Sequence, residues 1–552
     1  MLTEFDGLIA GQMMQRPLLV SSLIEYGKDF HPRSEIVSRR VEGDIHRYTY
    51  AESYQRICQL ANGLKAFGVK PGDRVATLAW NGYRHFELYY GLQGIGAVCH
   101  TINPRLPAEQ FNYVINHAGD KVLFTDVTFV PLLEKYLSFL PTGLKIVVMI
   151  DRDQMPETSL PNIFCYEDLL TAQSVHMDWP EFDENTACAL CYTSGTTGNP
   201  KGVLYSHRST VLHALFLRNC DISVFGPRGK ILPVVPLFHV NAWGLPYLAP
   251  LAGTHLVFPG GALDGASLFD LMDQEQVDSA WGVPTVWLGL LAEMDKRGRK
   301  SAGFRHVTIG GSAPPASMIQ AFEKTYDVDV TQGWGMTEMS PVGSLGLLEP
   351  HMQERSEDAQ MAMKARQGRR MYGVDLKIVD DAGDRLPHDG KAVGELLVRG
   401  NAIAAGYFND QQASADAIDR EGWFRTGDVA SIDAEGFMTL VDRSKDLVKS
   451  GGEWISSIDL ENAAMAHPDI AECAVIAVRH PKWDERPLLV VVKRPDAVLD
   501  KATVIEFLSG HVAKWWLPDD VVFLEELPHG ATGKVSKLTL RQQFKDYVLP
   551  TG

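Results

Sequence analysis

The sequence predicts an α/β protein, with a large N-terminal domain of βα units on largely parallel sheets, a small β subdomain, and a separate small α+β C-terminal domain. Three observations point there. Strand and helix periods alternate through the first part of the chain, shorter turn-separated strands follow Gly373, and a third pattern begins near Ser444. With 552 residues, 45% of them hydrophobic and 22% charged, the chain exceeds what one core normally fills, so several packed units are expected.

Thr49 and Glu52 form a capping-box pattern, and Tyr54, Ile57, Leu60, Leu64 and Phe67 then recur at helical spacing, which starts a helix near Tyr50. Strand-like residues 74–79, 97–102 and 121–124 alternate with helical residues 85–94 and 109–117. Residues 231–263 contain no Asp, Glu, Lys or Arg but contain Pro233, Pro236, Pro246, Pro250 and Pro259, and they read as buried strands and loops, not as a membrane span. Short strands at 376–379, 394–399 and 437–441 make the β subdomain. The tail reads as a helix at 458–465, strands at 472–478 and 488–493, a helix at 503–512 and a strand at 521–525. The charged segment Asp442-Arg443-Ser444-Lys445-Asp446 sets the boundary, giving domains 1–442 and 443–552.

A formal net charge of -17 without a long basic cluster argues against a nucleic-acid partner. Glu4 and Asp6 stand where an export signal would be basic, so no export is expected and the location is expected to be cytoplasmic. The seven scattered cysteines fit reduced thiols. Cys188 and Cys191 form a CxxC, but they lie in a strand-like run without a second pair or a histidine cluster, which favours a buried strand over a zinc or redox site.

The most informative stretch is Tyr192-Thr193-Ser194-Gly195-Thr196-Thr197-Gly198-Asn199-Pro200-Lys201-Gly202, between a strand and a helix beginning near Ser206. Glycines let backbone approach an anion, and hydroxyls and N–H groups donate to phosphate oxygens. The spacing is not that of a Walker loop, which disfavours a conventional P-loop ATPase. Farther on stand Gly310-Gly311-Ser312-Ala313, Gly333-Trp334-Gly335-Met336-Thr337-Glu338, Thr426-Gly427-Asp428, Asp442-Arg443 and Gly533-Lys534. In this order the motifs resemble those of the adenylate-forming superfamily of acyl-CoA synthetases, nonribosomal adenylation domains and firefly luciferases, over nearly the whole chain.

That resemblance implies ATP and CoA as co-substrates and Mg²⁺ as cofactor. It places Thr193, Ser194, Gly195, Thr196, Thr197, Gly198 and Lys201 on the phosphates, Gly311, Ser312 and Ala313 along the adenine, and Gly333, Trp334, Gly335, Met336 and Thr337 in the nucleotide pocket. Asp428 and Arg443 contact the ribose, and Thr193 and Glu338 hold Mg²⁺, a hard ion that takes oxygen ligands. Lys534 bridges acid and α-phosphate. The C-terminal domain is mobile in such enzymes, with Lys445 at the hinge. Its swing brings Gly451, Gly452, Glu453 and Trp454 to the acyl-adenylate for CoA binding.

Phe238-His239-Val240-Asn241-Ala242-Trp243 resembles the segment beside the acyl tunnel of medium- and long-chain fatty acyl-CoA synthetases, with His239 orienting the carboxylate and Val240 and Trp243 at the gate. Asn103-Pro104-Arg105-Leu106 and the run Ser450–Ser456 extend the likeness. A fatty-acid–CoA ligase that pairs as a homodimer is therefore expected. Gly11-Gln12-Met13-Met14 and Pro17-Leu18-Leu19 also resemble 3-methylthiopropionate–CoA ligases, which makes that thioether acid the alternative. A non-catalytic acyl or nucleotide-binding protein would be expected to lose Lys534, Glu338 or Asp428, and all three are present. Nothing in the sequence marks a luciferase-type oxygenase.

Overall fold

The computed structural model describes residues 11–193, 199–222, 224–451, 453–530 and 534–551. Two sheets organise the N-terminal part, and both are parallel in their centres and antiparallel at an edge. The larger has nine strands, with Asp329–Gly335, His306–Gly310, Ser279–Gly282, Lys230–Pro233, His255–Phe258 and Glu35–Arg39 running parallel in that spatial order. The other has seven, from Ile163–Cys165 through Arg74–Leu78 and Val98–Thr101 to Ala187–Tyr192, closed by Gly202–Ser206 in antiparallel register. Antiparallel neighbours end the parallel runs because a parallel neighbour would require a long crossover, whereas a shorter connection can only reverse the chain.

The expected helix after Thr49 forms as Tyr50–Phe67, with both halves of the capping box present. Its terminator Gly68 has φ 98°, a left-handed cap that a β-carbon would strain. Elsewhere the structure differs from the sequence reading. Between the phosphate-type loop and the helix His207–Arg218 lies the strand Gly202–Ser206, and residues 231–263 include the helix Leu245–Ala252. Pro246 sits in the first turn of that helix, where a missing N–H costs nothing, whereas Pro250 stands inside it.

The β subdomain is a four-stranded antiparallel sheet of Val374–Val379, Gly394–Gly400, Phe424–Ile432 and Met438–Arg443. A five-stranded sheet follows, beginning with Val448–Ser450, centred on Ile470–His480 and Asp484–Lys493, and packed by the helices Ser457–Met465 and Lys501–Ser509 around its own buried cluster. Cys188 and Cys191 sit buried in Ala187–Tyr192, where burial pushes their thiols up to about 12 and about 11.

Candidate active site

Four parallel strands of the nine-stranded sheet end on one cavity of about 650 Å³. Lys230–Pro233 leads into Val234–Trp243, Ser279–Gly282 into Val283, His306–Gly310 into Gly311, and Asp329–Gly335 into Met336, Thr337 and Glu338. Ligands in open α/β sheets collect at this carboxyl edge because the loops there are free to diverge. The hairpin of the seven-stranded sheet adds Thr193, Asn199 and Lys201, the β subdomain adds Thr426 and Arg443, and the C-terminal unit adds Lys534. Tyr407 and Arg105 complete this charged end.

Several polar groups there are held by others. The Glu338 carboxylate accepts from the Tyr407 hydroxyl at 2.7 Å, and the Lys201 ammonium lies 4.7 Å from the centre of the same tyrosine ring. Burial raises the Glu338 carboxyl above its usual range, and the Tyr407 hydrogen bond opposes the rise. The Tyr205 hydroxyl donates to the Thr337 carbonyl at 2.5 Å, and Ala404 N–H donates to the Glu338 carbonyl at 2.7 Å, so this turn is fixed from both sides. Lys201 N–H donates to the Thr193 hydroxyl at 3.1 Å, and Thr193 N–H donates to the Lys201 carbonyl at 2.9 Å. These two bonds close the base of the loop.

Behind the cavity wall, the Trp334 indole donates to Asp428 Oδ2 at 3.0 Å, and Arg443 Nε lies 3.5 Å from Asp428 Oδ1. Burial raises the Asp428 carboxyl, with Arg443 pulling it back. Lys534 lies in the cavity beside Gly311, with part of the residue open to solvent. Burial, reinforced by Arg443, pushes its ammonium down to about 8. His239 is pushed to about 4 by burial and by the charge of Lys534, so its imidazole is neutral at pH 7.

The remaining wall is mainly apolar: Val234, Val235, Phe238, Val240, Trp243 and Trp281 lead to Val283, Val286 and Leu263, with Thr285, Thr308 and Asp264 among them. Val240, Asn241, Ala242 and Trp243 have φ of 45°, 53°, 46° and 56°, one complete left-handed turn without a glycine, which Gly244 ends at φ 81°. Such a turn costs about 1–2 kcal/mol per residue, so the surrounding packing must hold it. It turns Trp243 toward Gly310, where an added β-carbon would come within 2.8 Å of the indole.

Of the residues named from the sequence, Thr193, Lys201, His239, Val240, Trp243, Gly311, Gly333, Trp334, Gly335, Met336, Thr337, Glu338, Arg443 and Lys534 line this one cavity, and Asp428 backs it. Ser312 and Ala313 follow Gly311 without lining it. Gly451 and Trp454 are elsewhere: Gly451 N–H donates to the Trp483 carbonyl, and Trp454 is exposed beside the Lys449 ammonium. Glu453 belongs to the strand Glu453–Ile455, and Lys445 follows the strand that ends at Arg443. Ser194, Gly195, Thr196, Thr197, Gly198 and Gly452 lie outside the described residues. Sequence reasoning did not assign Tyr407, Arg105 or Trp281 to the site, while Asn199 and Thr426 fall within motifs it had singled out. The Gly406-Tyr407 pair after the strand Gly394–Gly400 was the one local signal available for Tyr407.

The AMP-binding enzyme family matches residues 28–408, and the AMP-binding enzyme C-terminal domain matches residues 459–534. The chain is 49% identical to a medium-chain-fatty-acid–CoA ligase of Ectopseudomonas oleovorans, over 98% of each chain. It is also 49% identical to a 3-methylmercaptopropionyl-CoA ligase of Ruegeria pomeroyi, over 97% of this chain and 99% of the relative. Among solved structures, the anthranilate CoA ligase AuaEII in complex with anthranoyl-AMP shares the fold, with a TM-score of 0.85 at 24% identity, covering 96% of this chain and 98% of that one.

Proposed function

From the premise that the chain belongs to the AMP-binding enzyme family, we infer that it is an AMP-forming acid–CoA ligase whose acid is a medium- or long-chain fatty acid. The observation that carries this reading is the continuity of one cavity, with Lys201, Arg443, Lys534 and Glu338 at one end and a mainly apolar arm, into which Thr285, Thr308 and Asp264 also enter, at the other. ATP concentrates negative charge and the attacking carboxylate adds more, so cations must be in place before in-line attack. The acid needs only a dry apolar wall.

In this reading a carboxylate oxygen of the acid attacks the α-phosphorus of ATP and pyrophosphate leaves, giving acyl-AMP. Lys534 bridges the acid and the α-phosphate, and neutral His239 offers the carboxylate a hydrogen bond without adding charge. Asp428 accepts from the ribose hydroxyls, held by Trp334 and Arg443. The oxygens of Glu338 and Thr193 fit Mg²⁺, whose part when bound is to neutralise phosphate charge. With Lys534 in the cavity and Gly451 and Trp454 turned elsewhere, the arrangement suits adenylation. The C-terminal domain, 443–552, then reorients about Lys445 so that residues 451–454 admit CoA. Its thiol sulfur attacks the acyl carbonyl, the thiol proton is released, and AMP departs.

A second reading, 3-methylthiopropionate as the acid, is favoured by the equal identity to the ligase named for it. The deciding experiment is CoA-dependent release of AMP and pyrophosphate with Mg-ATP across butyrate, 3-methylthiopropionate, octanoate and palmitate, with mass detection of the thioester. A rise in kcat/KM with alkyl length supports the fatty acid. A peak at the thioether acid selects the second reading, and silence with every acid overturns both. A homodimer paired through the N-terminal domain and a cytoplasmic location complete the proposal, and sedimentation tests the pairing. Among the described residues, no helix is long and apolar enough to cross a membrane.

A further inference from the structure

The apolar arm contains a glycine that its own backbone does not require. Gly289 lies in the second turn of the helix Pro284–Arg297, where glycine is less favourable than alanine. It does not stand in the left-handed region, and an added β-carbon would meet nothing nearer than Gly265 N at 3.7 Å, an ordinary contact. Gly265 is the opposite case, because a β-carbon there would come within 2.1 Å of the Gly289 carbonyl oxygen. Gly265 lets the two helices approach. Gly289 lines the cavity as an exposed residue without a side chain to narrow it.

The helix also supplies a scale. Val283, at its N-cap, touches the position of a β-carbon on Gly311, which is itself 3.5 Å from Lys534 Cε, so this end marks the reacting carboxylate. Val286 and Gly289 follow at three-residue steps along one face and both line the cavity. At about 1.5 Å per residue they stand ~4.5 Å and ~9 Å beyond Val283. An extended chain advances about 1.2 Å per bond, judged from the 3.3–3.6 Å span of a three-bond residue, so ~9 Å is roughly seven bonds.

We propose that Gly289 sets the chain-length limit of the acid by leaving open the part of the arm that carbons beyond about the seventh must occupy. Butyrate and 3-methylthiopropionate end near Val286, while octanoate and longer acids reach Gly289. This rests on the ligase reading above.

The test measures kcat/KM for thioester formation from butyrate through dodecanoate and 3-methylthiopropionate in the wild type, Gly289→Leu and Gly289→Ala, with thermal melting as the control for folding. Gly289→Leu is expected to lose at least tenfold on octanoate and longer acids and to stay within twofold on butyrate and 3-methylthiopropionate. Gly289→Ala, which the backbone accommodates, is expected to melt no lower than wild type and to show a smaller loss confined to the longest acids. It carries the test if the leucine variant does not fold. A loss equal at every length, or none at any length, overturns the proposal while leaving the ligase reading intact. A wild type active only on the short acids also overturns it. Wild-type silence on every acid overturns both.

Discussion

The two ends of the cavity are built on different principles. At the charged end several side chains are fixed by a named partner: Tyr407 on Glu338, Trp334 and Arg443 on Asp428, and Thr193 on the Lys201 backbone. At the apolar end, Val240, Trp243, Trp281 and Val286 line the wall, with Trp243 edge-on to Trp281. The difference follows from the forces involved. Charge-assisted hydrogen bonds are directional and an unpaired buried charge is costly, so the polar end must be specified residue by residue. Apolar burial is non-directional and tolerates many solutions of similar volume.

The sharpest test of this contrast is Lys534→Ala. It should lower ATP–pyrophosphate exchange by on the order of a hundredfold or more while sparing thioester formation from supplied acyl-AMP. Equal loss in both half-reactions would make Lys534 a general structural support and dissolve the distinction. Tyr407→Phe comes next. It removes one hydrogen bond to a buried carboxylate, worth about 1.5–3 kcal/mol, so kcat/KM for ATP should fall roughly ten- to a hundredfold. The ratio between acids should stay unchanged, and an acid-dependent loss would break the separation of the ends.

The pH profile follows in size. The Lys534 ammonium, at about 8, is present below that pH and lost above it, so adenylation should fall about tenfold per unit on the alkaline side. Lys534→Arg, charged throughout, should remove that limb whatever its absolute rate. His239, at about 4, adds no step between pH 6 and 9. The smallest effect is expected from Trp243→Ala, which should shift the preference among acids by less than about tenfold and leave the KM for ATP unchanged, since apolar contacts discriminate weakly.

The same contrast explains what could be read from the sequence. The charged end is legible in short runs, 192–202, 333–338 and 426–428, because residues close in sequence, such as Thr193, Asn199 and Lys201 or Gly333 to Glu338, line the same cavity. Tyr407 escaped because its partner Glu338 is 69 residues away, and only folding brings them together. Trp281 and Gly289 escaped for another reason: a strand-end aromatic and a helical glycine are ordinary until a cavity is seen beside them. In the fold, the capping box at Thr49 placed a helix correctly because its signal is local. The strand Gly202–Ser206 gave no such warning, since its pairing with Ala187–Tyr192 depends on a hairpin whose interior the glycine-rich loop disguised.

One feature of the acyl wall constrains how it can respond to a substrate. Four successive residues, Val240 to Trp243, occupy a small island of backbone space bounded by steep steric walls. A segment confined in this way cannot yield by a few degrees as a right-handed helix or a loop does. It must either hold or leave the island altogether, so any movement of Trp243 carried by its backbone is a jump between two basins. Acids would then divide into those the wall accepts and those that force a flip, giving a step in rate against chain bulk where a compliant wall would give a slope.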